Sequence, residues 1–160
     1  MAEIITLLFL ILIANGAPII FSYLFAKKMS VPVDFGFTLK DQQPVFGRSK
    51  TWRGLIASVL ITGSVAILIG KEFSFGVLIA SLAMTGDLLS SFIKRRLKKA
   101  PSSKMLILDQ LPESAFPALL MFSLSHIDLM QVMAIVSGFI IIDIVLSSLL
   151  FRLGIRKHPY

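Results

Sequence analysis

Apolar residues run through this chain in five blocks, roughly 4–26, 54–70, 73–93, 114–125 and 131–151, and the polar residues between them are gathered rather than scattered. Blocks of this kind predict membrane-crossing helices, because only a helix satisfies its own backbone hydrogen bonds in hydrocarbon. The fourth block is the exception. Its apolar core is only about 12 residues and carries Pro117, so a tilted, broken or N-terminally extended helix is expected there. The pattern therefore predicts an all-α, polytopic integral membrane bundle of about five transmembrane helices in one domain, 1–160. Folded loops are expected at about 27–53 and 94–113. The first of these holds Pro32, Asp34, Gly36, Asp41, Pro44 and Gly47, a turn-rich composition suited to a shaped loop.

Charge sharpens this picture. Of 16 Lys and Arg, 15 fall within 27–53, 94–104 and 152–157, and Lys71 is the exception. Alternate loops carrying the basic residues follow the positive-inside rule, so a net charge of +7 reflects topology rather than nucleic-acid binding. Placing those stretches in the cytosol makes the chain N-out and C-in, multi-pass in the plasma membrane, with its polar chemistry facing the cytosol. The first block lacks a basic n-region and a small-residue cleavage site, so it reads as a retained span. Composition agrees: 56% of residues are hydrophobic, 16% are charged, and the mean hydropathy is +0.86. Cysteine is absent, which excludes disulfides and thiolate chemistry, and two histidines without suitably spaced partners make no zinc site.

Four constellations interrupt the apolar pattern. If 86–96 is helical, Asp87, Ser91, Lys94 and Arg95 share a stripe of about 100°. The cations alone read as headgroup anchors, but an acid in an apolar span marks a functional site or a salt bridge, here to Lys94 or Arg95. Asp109 and Glu113 stand at the entrance of the fourth block, where they either cap a helix or join Asp87 around a divalent cation. Phe46 to Gly54 offers Gly47, Lys50 and Arg53 as phosphate donors, with interfacial anchoring by Trp52 as the alternative. Asn15 and Pro18 predict a kink in the first span, and Asp143 is an isolated acid deep in the fifth.

Taken in order, several motifs resemble the CDP-archaeol synthase family, relatives of the membrane phosphatidate cytidylyltransferases. They are Asn15-Gly-Ala-Pro18, Pro32-Val-Asp34-Phe-Gly36, Asp41, Phe46-Gly-Arg-Ser-Lys50-Thr-Trp-Arg-Gly54, Gly86 to Arg95, Leu108-Asp-Gln-Leu111, and a tail from Arg152 to Arg156 closing in Pro159-Tyr160. The resemblance covers almost the whole chain. It implies a Mg2+-dependent cytidylyltransferase that condenses CTP with a lipid phosphate, of archaeal ether or related phosphatidate type, to CDP-lipid and pyrophosphate. By position, Asp87 and Asp109 become metal-linked acids, with Glu113 as a further candidate ligand. Lys94 and Arg95 join Asp87 and Asp109 as catalytic residues, while Asn15, Asp34, Lys50, Thr51, Arg53 and Ser91 become substrate-binding residues. One departure stands out: Pro112 occupies the third position after Asp109, where the family pattern has an acid, and Glu113 follows it. The rival reading is a small transporter or channel using Asn15, Asp87 and Asp143, but most polar residues cluster at one face rather than across the membrane depth.

Overall fold

The computed structural model describes residues 2–25, 30–99, 105–124 and 126–154. Lys27, Lys28, Lys104 and the tail motif beyond Gly154, with Arg156, Pro159 and Tyr160, lie outside the described residues. Five helices follow in order: α1 (Ala2–Phe25), α2 (Trp52–Leu68), α3 (Phe73–Arg96), α4 (Leu106–Ser123) and α5 (Leu129–Arg152). Among the described residues, α1, α3 and α5, each of 24 residues, are long and apolar enough to cross a bilayer. The shorter α2 is apolar throughout its 17 residues, and α4 holds two acids and two prolines in 18.

Helix α4 begins well before its apolar block. A proline at position 112 removes one N–H and leaves the carbonyl of Leu108, four residues earlier, without its helical donor. Ser90 of α3 supplies the replacement, its hydroxyl lying 2.6 Å from that carbonyl. At the entrance, Asp109 Oδ2 accepts the Met105 backbone N–H at 3.3 Å. Tertiary contacts thus hold the polar stretch before residue 114 in helical form, and the loop expected over 94–113 is helical at both its ends.

The same device recurs in α1. Pro18 deprives the Ala14 carbonyl of its donor, and Ser58 of α2 bonds to it at 2.7 Å, so the helix runs through the expected kink without a stranded carbonyl. Among the described residues, α1 is the axis of the bundle and touches every other helix, whereas α5 packs on α1 and α4 alone. The main core is Leu7, Leu10, Ile11, Ile79, Ile135 and Phe139 with their neighbours, and a second cluster of Ala14, Ala80 and Ala83 brings α1 and α3 close.

The segment 30–51 folds back over the end of α3 and re-enters at α2. It closes on itself through bridges Pro32 to Thr51 and Thr38 to Pro44. Thr51 then caps α2, its side-chain oxygen accepting the Gly54 N–H at 3.3 Å.

Candidate active site

The loop is shaped around one buried carboxylate. Asp34 accepts backbone N–H groups from Gly36 at 3.0 Å, Phe46 at 2.9 Å and Gly47 at 2.8 Å. Burial pushes this carboxyl up, but the donors of Gly47, Phe46 and Gly36 outweigh it and hold Asp34 below the ordinary aspartate value. From outside, Arg96 clamps the loop to α3: it pairs with Asp41 at 2.5 Å, donates to the carbonyls of Gln43 and Pro44, and lies over the Phe92 ring.

So shaped, the loop delivers Lys50 to α3. Its Nζ lies 2.5 Å and 2.6 Å from the two oxygens of Asp87, with both side chains mostly covered. Burial disfavours the ammonium, yet Asp87 foremost, with Glu113 and Asp109, raises the Lys50 pKa above the usual lysine value. About two turns along α3 from Asp87, Lys94 Nζ stands 2.7 Å from Asp109 Oδ1 of α4. That contact is an ion pair across the α3–α4 seam. Glu113 of α4 reaches Asp87 itself, carboxyl to carboxyl. Two carboxyls in contact repel unless a proton or a cation lies between them.

Three chain segments therefore converge on one charged cluster of Lys50, Asp87, Lys94, Asp109 and Glu113. The bridge expected within α3, from Asp87 to Lys94 or Arg95, is replaced by two bridges between segments. Arg95 and Ser91 are buried beside them, and the Arg95 stem packs against the backbone of Gly47. The remaining candidates take other positions. Asn15 donates to Ile11 of its own helix at 3.0 Å, Asp34 is committed to the loop backbone, Thr51 is a helix cap, and Arg53 reaches Ser22 of α1 at 3.4 Å. Asp143, the isolated acid of the fifth span, accepts a hydrogen bond from Gln110 of α4 at 2.7 Å. The three residues of the transport reading thus have three separate partners.

Three contributors escaped the sequence reading. The sequence placed Arg96 among the headgroup anchors and gave Ser90 and Gly86 no role beyond their place in the motif from Gly86 to Arg95. A Cβ at Gly86 would sit 2.3 Å from the Pro112 carbonyl oxygen, so this glycine lets α3 and α4 touch backbone to backbone. The signal for Ser90 was Pro112, because a proline inside a helix leaves a carbonyl that some neighbour must bond.

Among the described residues no group of three or more His, Cys, Asp or Glu is arranged around a common metal position. The donors that do meet, Asp87 and Glu113, are hard oxygens in a contact that a divalent cation would relieve. Magnesium needs no more than one or two such carboxylates plus substrate phosphates, so the pair fits that ion.

Over all of residues 1–160 the sequence matches the CarS-like CDP-archaeol synthase family. The chain belongs to the CDP-archaeol synthase family. Among its relatives, a CDP-archaeol synthase from Thermofilum pendens is 33% identical over 92% of this chain and 76% of that protein. One from Sulfurisphaera tokodaii is 30% identical over 93% of this chain and 90% of the relative. With the Hyperthermus butylicus CDP-archaeol synthase, identity is 38% over 62% of this chain, and the match spans 60% of that protein. A solved structure described as an intramembrane enzyme for archaeal membrane lipid biosynthesis superimposes with a TM-score of 0.76, covering 90% of this chain and 92% of that one at 24% identity. That likeness establishes the fold: a multi-pass helical membrane protein. CDP-archaeol synthases as a family are CTP-dependent nucleotidyltransferases, and the converging lysine and carboxylate pairs lie on the motifs that carry the resemblance.

Proposed function

We propose that this chain transfers the cytidylyl group of CTP to a lipid phosphate, giving CDP-lipid and pyrophosphate, at the cytosolic face of the plasma membrane. The observation that carries the reading is the convergence of Lys50, Asp87, Lys94, Asp109 and Glu113 from a loop and two helices at one end of the bundle. Family membership supplies the reaction class.

In the chemistry, an oxygen of the lipid phosphate attacks the α-phosphorus of CTP, a new P–O bond forms, and the bond to the β-phosphate oxygen breaks. The bonding electrons leave with pyrophosphate. The attacking oxygen is already anionic near neutral pH, so no strong general base is needed. What the protein must supply is alignment and positive charge where the leaving group develops its own. Lys50 and Lys94 rest on carboxylates that hold them in place. An arriving triphosphate is a stronger multivalent acceptor, and each lysine can turn from its carboxylate to a phosphate oxygen. Arg95, against the Gly47 backbone, adds a fixed charge beside them.

That exchange releases carboxylate oxygens as phosphates enter. Asp87 and Glu113 would hold Mg2+, with Asp109 joining once Lys94 has turned, and the bound ion would neutralise phosphate charge and orient the triphosphate. The lipid stays where it is, because only its headgroup needs to reach the end of the bundle.

The deciding experiment incubates the purified protein with labelled CTP, Mg2+ and a panel of lipid phosphates in archaeal ether and bacterial ester forms. Labelled CDP-lipid with one pyrophosphate per turnover is expected. Absence of product from every lipid, with the protein folded, overturns the reading. Asp87→Asn and Asp109→Asn should each abolish turnover without unfolding the bundle. Lys50→Ala should weaken CTP use by about 1.5–3 kcal/mol per lost charge-assisted contact, or roughly 10- to 150-fold.

A further inference from the structure

Helix α2 is too short for the bilayer it must meet. Its 17 residues rise about 25 Å at 1.5 Å each, against a hydrocarbon core of about 30 Å. Its outward face is nonetheless continuous. Trp52, Ile56, Leu60 and Ile67 are 42–57% exposed and fall within an arc of about 80° at 100° per residue, which marks a lipid-facing stripe.

That stripe does not stop where the helix starts. Across the N-terminus of α2, the Phe35 ring lies 6.4 Å from the Trp52 ring. Phe35 is 74% exposed, and its neighbour Val31 is tied to the same corner by the bond from the Trp52 N–H to the Val31 carbonyl at 3.0 Å. Phe35 also adopts φ +49°, a conformation costly for a bulky residue, although the next residue is glycine. An aromatic ring held out in this way, at the end of a lipid-facing stripe, needs an apolar surface to rest on. Exposed Lys40 and Arg48 belong to the same loop and match the charge of anionic headgroups.

We infer that the 30–51 loop is seated on the bilayer, with Phe35 inserted at the boundary of headgroups and acyl chains as the continuation of α2, and that its occupant is an anionic lipid surface. Seating sets the height of the loop. Asp34, next to Phe35, bonds the Phe46 and Gly47 backbone, and Lys50 follows three residues later on its way to Asp87. A loop floating in water would leave that lysine free to ride up and down with it.

The chain contains no cysteine, so single labels can be placed without background. Phe35→Cys and, as the reference, Ser49→Cys, an exposed polar position of the same loop, are each labelled with an environment-sensitive fluorophore. The full chain is then reconstituted in vesicles containing anionic phospholipid. At position 35 the label should be quenched by lipids spin-labelled high on the acyl chain and protected from aqueous iodide, and at position 49 the order should reverse. Equal iodide quenching at the two positions overturns the inference. So does protection of position 35 from both quenchers, which would mean that protein, such as a second copy of this chain, covers it. A second readout leaves Phe35 in place: emission of Trp52, the only tryptophan, should shift to longer wavelength in Phe35→Ser. Neither measurement needs turnover, so failure here is distinguishable from failure of the catalytic reading.

Discussion

Of the three prolines inside helices of this bundle, Pro18 and Pro112 each leave a carbonyl that a serine of the neighbouring helix bonds. Pro18 strands the Ala14 carbonyl in α1, and Ser58 of α2 takes it; Pro112 strands the Leu108 carbonyl in α4, and Ser90 of α3 takes it. The surroundings differ. Pro18 lies against Gly54 with an added Cβ still 3.2 Å away, beside an alanine cluster that holds α1 to α3. Pro112 lies so close to Gly86 that a Cβ would reach 2.3 Å from its carbonyl oxygen, and it is bracketed by Asp109 and Glu113 opposite Asp87. One repair closes apolar packing. The other draws the acids of α4 onto the acid of α3, so a backbone break has become part of the site's geometry.

The largest test of this difference is Gly86→Ala against Gly54→Ala. At Gly86 the obstacles are the backbone O and C of Pro112 and the N of Glu113, none of which can move aside without parting the helices. Overpacking of this kind costs about 1–3 kcal/mol or more, and turnover should fall further than stability because Asp87 and Glu113 separate. Gly54→Ala meets only Pro18 and the Thr51 side chain at contacts above 3 Å and should be milder in both thermal unfolding and turnover. Equal losses in the two variants would erase the distinction.

A smaller effect comes from the serines. Ser58→Ala and Ser90→Ala each leave a buried carbonyl without its donor, at a cost of about 1–2 kcal/mol in a bilayer. Both should lower the unfolding temperature by similar amounts, but only Ser90→Ala should also lower kcat. If the Ser58 variant loses kcat equally, the repair at Pro18 is also coupled to the site.

The smallest effect concerns the loop that spans the two regions. Asp34 has a folded pKa below its unfolded value of 3.8, so its contribution to loop order is present above that value and fades as pH falls through the lower folded one. Trp52 emission, followed downward from about pH 5, should report that step in the parent protein. In Asp34→Asn the step should be missing; its persistence would assign the transition to another carboxyl.

Much of the architecture was legible in advance because hydropathy reports a solvent. The blocks at 4–26, 73–93 and 131–151 became α1, α3 and α5 to within a few residues. For α4 the short apolar core left a tilted, a broken and an N-terminally extended helix open; the helix is extended back to Leu106, and the Ser90 bond to the carbonyl left by Pro112 belongs to that outcome. The stripe of Asp87, Ser91, Lys94 and Arg95 exists, but its partners come from elsewhere in the chain. Helical spacing names residues on one face and is silent about which segment will meet that face.

Sequence alone determined the solvent this chain prefers, the grouping of its charges, and the motifs that place it among CDP-archaeol synthases, because each is a local or compositional property. Tertiary structure decided that Lys50 meets Asp87, that Lys94 meets Asp109, that Glu113 joins them, and that Asp143 turns to Gln110. Those pairings depend on how closely helices approach, and here that distance is set by a missing Cβ at Gly86 and by a carbonyl left over at Leu108.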